Sequence, residues 1–156
     1  MPGYHLPNSK DGDAKNSRET SSPFSFHCSG DFTSSGHEEF ALILLGQDQL
    51  RVAIFAPNAG GPYRLIYLAR PKIAEEWGEY AEGSLVQHAE QIEMRTIPKG
   101  ESWAPESGDV FENFHAPRDA IDLHTHPKPN YDFASLLLHE NGEFQQLNSQ
   151  PLIRLQ

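Results

Sequence analysis

Three apolar runs follow one another with little more than a turn between them: FALILLG at 40–46, LRVAIFA at 50–56 and YRLIYLA at 63–69. Runs of this length, rich in β-branched and aromatic residues, read as strands. The first is apolar throughout, which suits a strand buried on both faces. Its links are the polar QDQ and the turn-forming PNAGGP. Links so short suit antiparallel neighbours, because parallel strands need a long crossover. Ahead of them, FSFH (24–27) reads as a short strand and SGDFTSSG (29–36) as a loop.

The period changes after residue 70. In PKIAEEWGEYAEG (71–83), Ile73, Trp77, Tyr80 and Ala81 recur at helical spacing, with acids on the other face. Pro71 suits a helix start and Gly83 an end. Ser84 could cap a second helical stretch through Leu85, Ala89 and Ile92, though its last part also suits a strand. Residues 98–119 read as a long loop punctuated by Pro and Gly, a kind of loop that is often functional. AIDLHTH reads as a strand, and LLLHENGEFQQL as a hairpin turning at Asn141-Gly142. LIRL (152–155) reads as a terminal edge strand. The expected class is α+β or mixed α/β, a mostly antiparallel sheet with one or two packed helices. Residues 1–23 are nearly free of apolar side chains and read as a flexible tail. Residues 24–156 read as a single domain.

Composition narrows the function classes. Lys and Arg number 12 against 22 Asp and Glu, a net charge of −10. An acidic chain without a basic cluster is a poor partner for nucleic acid. No apolar stretch is long enough to span a membrane as a helix. The N-terminal residues lack the order of a signal peptide. With a single cysteine, Cys28, no internal disulfide can form, and a reducing compartment is the default. These features predict a soluble, cytoplasmic protein. An effector exported without a cleaved signal would read the same.

The chemistry concentrates at AIDLHTHPKPNYD (120–132). Alternation along a strand puts Asp122, His124 and His126 on one face. Two imidazoles at that spacing can share an ion, and neutral imidazole with a carboxylate suits zinc. Asp132 ends a short loop stiffened by Pro127 and Pro129, and is the candidate third ligand. Upstream, Glu39 stands at the mouth of the 40–46 strand, where it could take a proton from a metal-bound water. Each has a plainer reading: Glu39 as a strand-end charge, with Glu38 equally eligible, and Asp132 as a turn-forming Asx residue. His139 and Glu140 read as solvent-facing, His115 as a loop residue, and Trp103 as a core or loop anchor.

Glu39 with Leu42 and Gly46 after it, then HTHP at 124–127, resembles the signature of the JAMM (JAB1/MPN+) metalloproteases. The resemblance spans residues 37–138, with its specific part confined to about twenty residues. It implies an MPN-type, cytidine-deaminase-like fold, with zinc held by His124, His126 and Asp132 and Glu39 as general base. It also implies hydrolysis of a peptide or isopeptide bond, with a protein or peptide substrate such as the C-terminus of a ubiquitin-like protein. The chain departs from the family pattern at Leu42, where Gly is usual, and at Pro129, where a serine is expected three residues before Asp132. Aligning Ser135 with that serine would put Leu138 at the ligand position. A catalytically inactive MPN-like interaction module is therefore the second expectation. A small cupin-like metal-binding barrel is the third.

Overall fold

Alternation sets the architecture. In β2 (Glu39–Leu45), Ala41, Ile43 and Leu45 are fully buried, and in β3 (Leu50–Asn58) so are Val52 and Ile54, which pair with Ile43 and Ala41. These side chains share one core with Met94, Ile121, Leu123 and Leu137 from the second half of the chain. Two sheets thus pack face to face in this computed structural model. It describes residues 3–6, 26–46, 50–70, 92–103, 114–128, 131–148 and 152–153.

Sheet A is an antiparallel meander of β1 (His27–Gly30), β2, β3 and β4 (Gly61–Ala69). Sheet B repeats the plan with β5 (Ile92–Ile97), β6 (Ala120–Lys128), β7 (Tyr131–Glu140) and β8 (Glu143–Asn148). The short β9 (Leu152–Ile153) pairs with the start of β7. Within β1–β4 and within β5–β8, consecutive strands are neighbours. The strand interleaving of a jelly roll, the architecture of cupins, is not found among the described residues.

The expected α+β or α/β class, with its MPN-type, cytidine-deaminase-like sheet and packed helices, is overturned. The described residues are all-β, in two antiparallel sheets with no helix. The first expected helix, 71–83, and most of the second lie outside the described residues. Ile92, assigned to the end of the second, begins β5 instead. The segment Ile92–Ile97 also fits a period of two, and pairing along β6 from Ile92↔Thr125 to Ile97↔Ala120 decides the matter. Met94 then enters the inter-sheet core, while Glu93 and Arg95 take the other face.

That other face of sheet B is covered too. Ala120, Ala134, Leu136 and Leu138 form a second buried cluster with Ile97, Trp103 and Ala116. The covering comes from residues 98–103 and 114–119, two arms that pair through Trp103 N→Phe114 O (3.2 Å) and Ala116 N→Glu101 O (2.9 Å). Asp119 ties this excursion down, accepting from Lys99 N (3.0 Å) and Asp31 N (2.9 Å). Burial on both faces explains why LLL at 136–138 is apolar without alternation. The β7–β8 turn is the expected Asn141-Gly142 pair, with both φ values positive (51° and 86°). Near the N-terminus, His5 exchanges backbone hydrogen bonds with Leu45 (2.9 and 2.8 Å), so this part of the expected tail lies along the edge of β2.

Ile43, with no exposed surface, sits on the central seam between the sheets. Ile43→Ala is expected to lower unfolding stability by about 2–5 kcal/mol, read from the urea midpoint with an unchanged m-value.

Candidate functional site

The register of β5 on β6 places Arg95 opposite Asp122 and Glu93 opposite His124. All four belong to the covered face of sheet B, because their neighbours Met94 and Leu123 enter the inter-sheet core. Asp122 has no exposed surface, and three side chains reach its carboxylate. Trp103 Nε1 donates to Oδ1 at 3.0 Å. Arg95 Nε donates to Oδ2 at 3.0 Å, and His124 Nε2 lies 3.1 Å from the same oxygen. A buried carboxylate requires such compensation. The arrangement orients the His124 ring through Nε2, so Nδ1 is the nitrogen that would face a ligand. Glu93 is buried directly across the ladder from it.

Glu39 is elsewhere. It is buried at the start of β2, where its carboxylate organises the 31–38 loop. Oε2 accepts from Thr33 N at 3.0 Å, and Oε1 accepts from the hydroxyls of Thr33 and, at 3.4 Å, Ser35. That loop leans on the beginning of β6, where Arg118 Nη1 reaches Thr33 O at 3.4 Å. From Asp119 to His124 is five residues of strand, about 16 Å at ~3.3 Å per residue. Glu39 also lines the cleft between the sheets, whereas His124 is on the opposite face of sheet B. The structure does not bring Glu39 and His124 together.

His126 and Asp132 lie on β6 and β7, close to the connection between them; their side chains are outside the described residues. The backbone register is informative. Thr125 pairs with Phe133, so His126 and Asp132 are the next residues along from that pair, before the register shifts ahead of Lys128↔Tyr131. Among the described residues, no group of three or more His, Cys, Asp or Glu is arranged to hold a metal. Ser135 is buried and accepts from Gln146 Nε2 at 2.9 Å, lining the inter-sheet side with Leu123 and Leu137. It therefore faces away from His124. His139, expected in solvent, is half-buried in the cleft between the sheets. Of the partners of Asp122, Trp103 reads from the sequence only as a core or loop anchor, and Arg95 carries no signal of a role. A period-two reading of 92–97 would have put Arg95 and Glu93 on one face.

No protein-family model matches the chain, and neither a curated protein nor a solved structure matches it.

Removing the Asp122 carboxylate strands its donors unequally. The Arg95 side chain is 40 % exposed and can rehydrate, but the indole N–H of the buried Trp103 cannot. Asp122→Ala is expected to cost about 2–4 kcal/mol of stability and to shift Trp103 fluorescence in the native baseline.

Cys28 packs against the inter-sheet core, and burial pushes its thiol up to about 11. A neutral, buried thiol is a poor nucleophile. Above the pKa of the unfolded thiol the unfolded state loses its proton first, so the stabilisation present below that value falls as pH rises. The fall should amount to about 2–3 kcal/mol between roughly pH 9 and 11. It should be absent in Cys28→Ala when the two are compared by urea denaturation across that range.

Proposed function

We propose that this chain is a zinc-dependent hydrolase of a peptide or isopeptide bond. Its ion would be held on the covered face of sheet B by His124, His126 and Asp132. The observation that carries this reading is the β5–β6–β7 register. Glu93 is opposite His124, and the next residues beyond the Thr125↔Phe133 pair are His126 and Asp132. All four candidates belong to adjacent stretches of three neighbouring strands. The 3.1 Å approach of His124 Nε2 to Asp122 adds support, since metal-binding imidazoles usually give their second nitrogen to a carboxylate that fixes ring and tautomer. The donor set of two imidazoles and a carboxylate suits zinc.

When bound, zinc would supply Lewis-acid polarisation of the scissile carbonyl. The chain's own contribution is proton transfer and positioning. With Glu39 committed to Thr33 and Ser35, the acid in register with His124 is Glu93, which would relay a proton to the leaving amine. Asp122 would hold the His124 ring, and Trp103 and Arg95 would hold Asp122. A protein or peptide substrate, including the C-terminus of a ubiquitin-like protein, belongs to the same proposal.

One observation favours a second reading, a non-catalytic interaction module. The donors on Asp122 come from β5, β6 and the 98–119 connection, which is what a purely structural tie would look like. Metal analysis separates the two. The hydrolase reading expects stoichiometric zinc in the purified chain and its loss in His124→Ala. It expects Glu93→Gln to keep zinc while losing turnover of a quenched peptide by about a hundredfold or more. A wild-type chain without zinc, or one whose zinc survives His124→Ala, would overturn it.

A further inference from the structure

Between the sheets, at the end remote from His124, opens a cleft of about 690 Å³. This lies within the range of small-molecule sites. Three pieces of chain frame it: the β3–β4 hairpin end, the β7–β8 hairpin end, and the 31–38 loop organised by Glu39.

One wall depends on an irregularity in β4. Ala56 pairs with Arg64 and Phe55 with Leu65, but Ile54 pairs with Tyr67, leaving Ile66 as an extra residue. Residues three apart in a regular strand face opposite sides. The bulge restores Tyr67 to the side of Arg64, and both line the cleft. A guanidinium fork and a phenol therefore share one wall. The opposite wall is aromatic. Phe144 packs directly on Tyr67, with ring centroids 4.9 Å apart, and lies 4.9 Å from its ladder partner His139.

The polar character of that wall follows from a neighbour. Arg118 Nη1 is 3.4 Å from His139 Nδ1. A guanidinium can only donate, so Nδ1 accepts and the ring's proton is on Nε2. His139 then offers an N–H donor to the cleft. Two acids share the lining: Glu39, held on the loop side by Thr33 and Ser35, and Glu143, exposed at the rim where solvent screens it.

We infer that this cleft binds a small aromatic carboxylate. Its ring would lie against the Tyr67–Phe144 pair, and its carboxylate would meet the Arg64 fork and the His139 N–H. Arg matches a carboxylate in bidentate geometry, and the aromatic walls supply the apolar contact. The site is separate from the proposed zinc centre, on the other face of sheet B.

The test titrates the full chain with 2-naphthoate and, separately, with its neutral isostere 2-naphthamide, by isothermal calorimetry and by backbone amide shifts. Saturable naphthoate binding is expected, with shifts concentrated at residues 64–67 and 139–144. Arg64 is exposed, so Arg64→Ala should fold normally. It should weaken naphthoate about tenfold while leaving naphthamide within about twofold. Arg64→Lys, which keeps the charge and loses the fork, should fall between. His124→Ala should bind naphthoate as the wild type does, so failure of the zinc reading would leave this result standing. Absence of saturable binding at millimolar naphthoate, or an affinity that Arg64→Ala does not change, would overturn the inference.

Discussion

A carboxylate with no exposed surface, Asp122, is the point on which the second half of this molecule turns. Its charge is tolerable only because an indole, a guanidinium and an imidazole reach it from three segments of chain. Meeting that requirement brings Trp103 over β6 and holds the arms 98–103 and 114–119 against sheet B. Sheet B is thereby buried on both sides, one against sheet A and the other against this excursion. Without the hub, the buried Asp122 carboxylate would be an uncompensated polar group in an apolar layer.

The two halves solve the same problem differently. Sheet A places β2 and β3 against the core and leaves its edge strand β4 with Tyr63, Leu65 and Leu68 exposed. Sheet B spends a long connection to cover its reverse face. Two buried acids, Asp122 and Glu39, end on opposite sides of sheet B, and each ties down a loop. Asp122 holds the 98–119 excursion, while Glu39 holds the 31–38 loop and with it one side of the cleft.

Local signals were legible in the sequence. The Asn141-Gly142 turn needs two positive φ values, and few dipeptides supply them. The runs at 40–46, 50–56 and 63–69 are strands because their lengths and short links admit little else. What was not legible depended on distant partners. Ile92–Ile97 suits either period, and only pairing with β6, some 30 residues on in sequence, makes it a strand. Asp122 could be placed on the face of His124 by alternation, but its bonds to Arg95 and Trp103 span 27 and 19 residues. Glu39 announced an acid at a strand mouth. That the preceding loop folds back so that Thr33 and Ser35 saturate it is a property of the loop's path, which no spacing reveals.

The most direct measurement of this account is hydrogen exchange at the Trp103 indole N–H, assigned with Trp77→Phe to remove the other indole. If Asp122 holds Trp103 beneath the covering chain, that proton should exchange only through global unfolding, at the rate of the slowest core amides of β6. Exchange at the rate of an indole in water would contradict it, and with it the covered face on which the placement of His124 depends.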